Sequence, residues 1–295
     1  MAPLRSLLLG GTVWCLLASR AISASTNQTS SAGCHASDKD FGPPFNTTGT
    51  ASFNLGSVGY KNTKPWYLTI GLKDRRDLNA SYTGTQTVNS YVSLPDDFIN
   101  RADGNYTQMC AYRLVEQNST AAEGNGSCMG VLSDACTKYI QTFQESTSFS
   151  DGKCPEFSPG KGCGDSIFQL AIPTNFTSTN CSTSGLPGVA EIPQNYTTRG
   201  LFGIAWSIGD KEINSFDAYD LHVRQPNPIL LVFGYNQGYS QDNNHETIYV
   251  AKLFCVAPDH VAAGSRDPKS SAIELRVNKA MVLAMAAMSF VMCIL

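Results

Sequence analysis

Eight cysteines spread through the body of this chain constrain its fold more than any other feature: Cys34, Cys110, Cys128, Cys136, Cys154, Cys163, Cys181 and Cys255. The number is even, no CxxC pair occurs and no histidine cluster stands beside them, so four disulfides are expected and a metal site is not. Eight cysteines allow about a hundred connectivities. Short intervening loops make Cys128–Cys136 and Cys154–Cys163 the simplest pairs. A disulfide framework implies an oxidising compartment.

The other two cysteines, Cys15 and Cys293, lie in apolar ends. Met1 to Arg5 carries one cation, Ser6 to Ala18 is a 13-residue apolar run, and small residues follow at Ser19, Ala21 and Ser23. This is the pattern of a secretory signal peptide, expected to occupy residues 1–24 and to be removed. Ala280 to Leu295 is 16 residues without a charge, preceded by a polar spacer at Ile273–Lys279 and by the small residues Ser270, Ser271 and Ala272. Small triplet, spacer and apolar tail are what a glycolipid transamidase reads, whereas a retained span needs about 20 apolar residues. A GPI anchor on Ser270 and loss of residues 271–295 are therefore expected, with Ala263-Gly264-Ser265 as a second cut site.

Omitting Arg5, Arg20, Arg276, Lys279 and Glu274, residues 25–270 carry 17 basic and 23 acidic side chains, a net charge of −6. That balance disfavours nucleic acid and anionic lipid as partners. Nine N-x-[ST] sequons occur, at Asn27, Asn46, Asn79, Asn105, Asn118, Asn125, Asn175, Asn180 and Asn195, each marking an expected glycosylated surface position. None falls after residue 195, where the most apolar strands lie.

Residues 25–50 read as a polar arm pinned by Cys34, residues 51–256 as a disulfide-bonded ectodomain, and residues 257–270 as a stalk able to extend at most roughly 50 Å. Alternation predicts strands at Trp66–Leu72, Val88–Leu94, Thr107–Val115, Ile167–Ile172, Leu201–Ile208, Phe216–Val223, Ile229–Tyr235 and Thr247–Val256. Ile229–Phe233 is apolar throughout, as in a strand covered on both faces. One helix is expected over Val131–Glu145, capped by Ser133 or Asp134, with Leu132, Cys136, Tyr139, Ile140 and Phe143 at its period. Many short strands and one helix predict a mainly β fold, a two-layer antiparallel sandwich with the helix in a connection; an α+β single sheet is the alternative.

Candidate chemistry is sparse. Gly164-Asp165-Ser166 followed by Asp242-x-x-His245 resembles the nucleophile and acid–base blocks of GDSL-type esterases, with His245 deprotonating Ser166 and Asp242 fixing its tautomer. The family's oxyanion blocks have no match between the two pieces, and Cys163 beside Gly164 suits an ordinary disulfide-linked turn. The loop Gly234–His245 offers Tyr235, Asn236, Tyr239 and Asn243, aromatic faces and amides suited to sugar rings, where a polar hairpin tip is the plainer reading. His222, alternating with Asp220 and Arg224, is expected on a solvated strand face, and Trp66 in the core. No metal-ligand, calcium-loop or phosphate-loop motif occurs, and no cofactor is expected.

The segment Gly126-Ser-Cys128-Met-Gly-Val-Leu-Ser-Asp-Ala-Cys136 resembles a segment of secreted cell-surface glycoproteins of filamentous fungi. That resemblance implies a plasma-membrane or cell-wall protein and assigns no active-site residue. The expected function is a structural, adhesive or glycan-contacting surface glycoprotein. Its expected partners are the membrane through its anchor, and cell-wall polysaccharide or another surface protein. A secreted hydrolase is the alternative.

Overall fold

The computed structural model describes residues 42–55, 64–76, 84–99, 107–114, 126–146, 154–157, 163, 167–170, 182–208, 214–236 and 247–269. The chain divides into Met1–Ser31 and Ala32–Leu295, and every described residue belongs to the second unit.

Ten strands and three helices are described. They run β1 (Thr47–Phe53), β2 (Trp66–Arg75), β3 (Thr85–Pro95), α1 (Asp96–Ile99), β4 (Thr107–Leu114), α2 (Asp134–Ser146), β5 (Ile167–Leu170), β6 (Ser182–Ser184), β7 (Tyr196–Ser207), α3 (Asp217–Arg224), β8 (Asn227–Asn236), β9 (Thr247–Val256) and β10 (His260–Val261). Two antiparallel sheets form, of six strands in the order β10-β1-β2-β3-β7-β6 and of four in the order β5-β4-β8-β9. The expected mainly β, sandwich-like architecture is present.

Alternation builds the layer between the sheets. Leu68, Ile70 and Leu72 of β2 meet Met109 and Ala111 of β4 and Ile229, Leu231 and Phe233 of β8 in one buried cluster. Trp66, 1% exposed, sits among rings at the end formed by the start of β2, with Phe98 at 4.8 Å and Phe233 at 5.4 Å between centroids. The intervening residues of the four-stranded sheet face the other way. Cys110, Tyr112, Leu114, Leu230, Val232 and Cys255 pack against Val131, Leu132, Ile140 and Phe143 of the α2 segment. β8 is therefore apolar on both faces because it is covered on both faces. Ser133 caps α2, its Oγ accepting from the Cys136 amide at 3.1 Å. On the outer face of the six-stranded sheet, Phe45 joins Tyr91, Leu186, Val189, Ile192 and Tyr196. Gly71 is required there, since a Cβ would lie 2.6 Å from the Phe45 ring.

All three described disulfides fasten this helical layer. Cys110–Cys154, Cys128–Cys255 and Cys136–Cys163 join sheet to loop, loop to sheet and helix to loop. Neither of the short-loop pairs expected from sequence forms. The reason is local: Gly126 and Cys255 exchange backbone hydrogen bonds of 3.1 and 3.3 Å, which lays Cys128 beside β9, while α2 carries Cys136 away toward Cys163. Cys34 and Cys181 lie outside the described residues.

Three further expectations are corrected. Phe216–Val223 forms no strand: Phe216, Tyr219 and Val223 share one side of helix α3, and Asp217 in its first turn and Arg224 in its last suit the helix dipole. The stretch assigned to a polar arm enters the body, with Phe45 buried and β1 beginning at Thr47. The stretch assigned to a stalk also folds back. β10 pairs with β1, and the Ala262 amide donates to the Asn46 carbonyl at 2.9 Å. Gly49 permits the return, because a Cβ there would stand 1.8 Å from the Ala257 carbonyl oxygen.

Candidate functional site

Helix α3 closes one end of the sandwich, where β2 and β4 finish and β3 and β8 begin. Tyr219 and Val223 reach into the core from it. Around them the inward-facing positions turn polar. Asp74 continues the register of Leu72, Gln86 precedes Val88, Arg113 follows Ala111, and Asn227 precedes Ile229. The sandwich interior thus ends in a ring of polar side chains that meets α3.

These groups satisfy one another. Gln86 Nε2 donates to Asp74 Oδ1 at 3.1 Å, and Gln86 Oε1 lies 2.6 Å from His222 Nδ1, which fixes the hydrogen on that nitrogen in a neutral ring. Arg113 Nη2 donates to Asn227 Oδ1 at 2.5 Å, and Asn227 Nδ2 reaches the Gln225 and Val256 carbonyls. Burial, then the nearby Arg113 charge, push the His222 pKa below its usual value, with Asp74 partly opposing them. Burial alone lowers Arg113 to about 10. A carboxylate–amide–imidazole chain of this kind orients a ring and holds it neutral. It braces α3 against the end of the six-stranded sheet.

On the outer side of α3 a second network binds the C-terminal segment. Asp220 accepts from Arg266 at 2.5 and 3.2 Å and from the Lys269 amide at 3.1 Å. The Arg266 guanidinium lies 4.2 Å over the Phe216 ring, and Arg76 lies 4.0 Å from the centroid of the same ring. Tyr219 donates to the Arg266 carbonyl at 2.8 Å, and Arg224 to the Lys269 carbonyl. Burial works to raise the Asp220 pKa, but the Arg266 and Lys269 bonds outweigh it and hold the carboxyl below its usual value. Tyr219 is pushed up to about 12, first by burial and then by Asp74.

Ser166, Asp242 and His245, and likewise Tyr239 and Asn243, lie outside the described residues. So do Asn27, Asn79, Asn105, Asn118, Asn125, Asn175 and Asn180 among the sequons, and the expected anchor residue Ser270. Tyr235 and Asn236 end β8 at the pole opposite α3, paired in backbone register with Ile248 and Thr247. Of the two described sequons, Asn195 is exposed, and Asn46 is half-buried with its Oδ1 accepting from the Asp74 amide at 2.6 Å. His222 stands on a helix and faces Gln86, not a solvated strand face. Among the described residues no group of His, Cys, Asp or Glu is placed to hold a metal ion, and no helix is long and apolar enough to cross a membrane.

Sequence reading missed the polar ring, though a signal was present: each member continues a strand's inward alternation by one step past its last apolar residue. Comparison with protein-family models, with curated proteins and with solved structures finds no match to this chain.

Proposed function

We propose that this chain is an oxidised, N-glycosylated ectodomain held on the outer cell surface by a C-terminal glycolipid, where it serves a structural, adhesive or glycan-contacting role in the cell wall. The observation that carries the reading is the disulfide layer: three bonds fasten α2 and its loops to one sheet, which fits an oxidising, extracellular setting. The signal-like start, the sequons and the small-triplet, spacer and apolar-tail order of the last residues support the rest. The ends of β8 and β9 that flank residues 237–246 lie across the sandwich from α3, which puts the backbone of Tyr235 at the pole away from residues 266–269.

Two measurements test this. Phosphatidylinositol-specific phospholipase should release the protein from intact cells; retention on the cell together with a C-terminal peptide still ending in Leu295 refutes the anchor. Tyr235→Ala with Tyr239→Ala should weaken retention of the released protein on wall glycan, and unchanged retention refutes the glycan contact.

A further inference from the structure

We infer that residues 260–269 are a docked strap of the ectodomain and not a stalk, so that glycolipid attachment falls within Ser270–Ala272 rather than Ala263–Ser265. The inference rests on the anchored reading above and decides between its two cut sites.

The strap is held along its length. β10 zips onto β1, the Ala262 amide binds the Asn46 carbonyl, and the Ser265 amide closes a turn onto the Ala262 carbonyl at 2.9 Å. Gly264 occupies that turn with a φ of 83°, a backbone setting that favours glycine. Arg266 then forks onto Asp220, and Lys269 is gripped at both its amide and its carbonyl.

Transamidation breaks the peptide bond after the acceptor residue and joins that residue's carbonyl to the primary amine of a glycolipid ethanolamine. One amide replaces another, and the tail departs with a free amino terminus. Cleavage within 263–265 would discard Arg266 and Lys269 together with the tail. Asp220, whose side chain is 7% exposed, would lose its guanidinium and a backbone donor. The Tyr219 hydroxyl would lose its acceptor. A buried carboxylate stripped of its partner is strongly destabilising. Cleavage within 270–272 keeps every one of these contacts. The protein so anchored leaves the membrane directly at the α3 pole, with its opposite pole outward across a sandwich whose ten-residue β8 spans roughly 33 Å.

The test uses the full chain made in cells that attach glycolipid anchors. Aqueous hydrogen fluoride opens the anchor, and mass spectrometry locates the ethanolamine on the C-terminal peptide. Ethanolamine on residue 270, 271 or 272 is the expected result. Ethanolamine on residue 263, 264 or 265 overturns the docked-strap inference while leaving the anchored reading intact. A peptide ending in Leu295 without ethanolamine overturns the anchored reading, and the inference with it.

Discussion

Removing the Cys128–Cys255 bond should cost more stability than removing either of the other two described disulfides. The bond spans 127 residues, against 44 for Cys110–Cys154 and 27 for Cys136–Cys163. In chain-entropy terms a closed loop of that length takes about 16 cal/mol/K from the unfolded chain, about 5 kcal/mol at 25 °C, against about 3.5 kcal/mol for the shortest of the three. The pair Cys128→Ala and Cys255→Ala, compared with Cys136→Ala and Cys163→Ala, isolates the difference. Guanidinium unfolding followed by tryptophan fluorescence is the assay. With a slope of about 5 kcal/mol/M the Cys128–Cys255 variant should lose about 1 M in midpoint, and its slope should rise as the unfolded chain expands. A loss no larger than that of the Cys136–Cys163 variant refutes the loop-length reasoning. A peptide map of unreduced protein joining Cys128 to Cys136 refutes the pairing itself.

Gly49→Ala should destabilise by about 3 kcal/mol or more in the same assay, because the obstacle 1.8 Å from the new Cβ is a backbone oxygen that no rotamer change can move. Asp220→Asn should cost about 2 kcal/mol at neutral pH, the loss expected of a buried pair reduced for an Arg266 side chain that is 29% exposed. Since the Asp220 pKa is lowered on folding, the wild-type advantage should persist at pH values above 3.8 and vanish only as pH falls through the folded value. The His222 pKa is also lowered on folding, so the unfolded chain takes up this proton more readily, and stability should fall as pH drops below 6.5. His222→Gln should flatten the dependence of thermal midpoint on pH between 7 and 5; an unchanged slope would place the acid sensitivity at another group.

The strands that were legible in sequence are those whose inward residues are large and apolar, such as Trp66, Leu68, Ile70 and Leu72. β9 was legible to both ends, Thr247 and Val256. β1 was not, because Thr47, Thr48, Gly49 and Thr50 carry little hydrophobic signal; they are chosen for a close approach to Ala257 and for a threonine pair with Thr69. α3 was misread because eight residues fit both periods about equally well, and only the shared burial of Tyr219 and Val223 decides for the helix. The disulfide partners were illegible for a different reason: spacing measures contour along the chain, whereas the pairing is set by where α2 and β9 bring the sulfurs. The C-terminal strap could not be read at all. Its contacts are one guanidinium, two aromatic faces and several main-chain groups, none of which makes a periodic pattern.

That strap also determines how the protein responds to being pulled. Any tension applied beyond Lys269 reaches the body through Lys269, then Arg266, then the two residues of β10, one fastening after another rather than all at once. All of them lie outside the interior between the sheets. The strap therefore takes up tension before the disulfide-clamped half of the sandwich does, and the Asp220 contacts are the first to be strained.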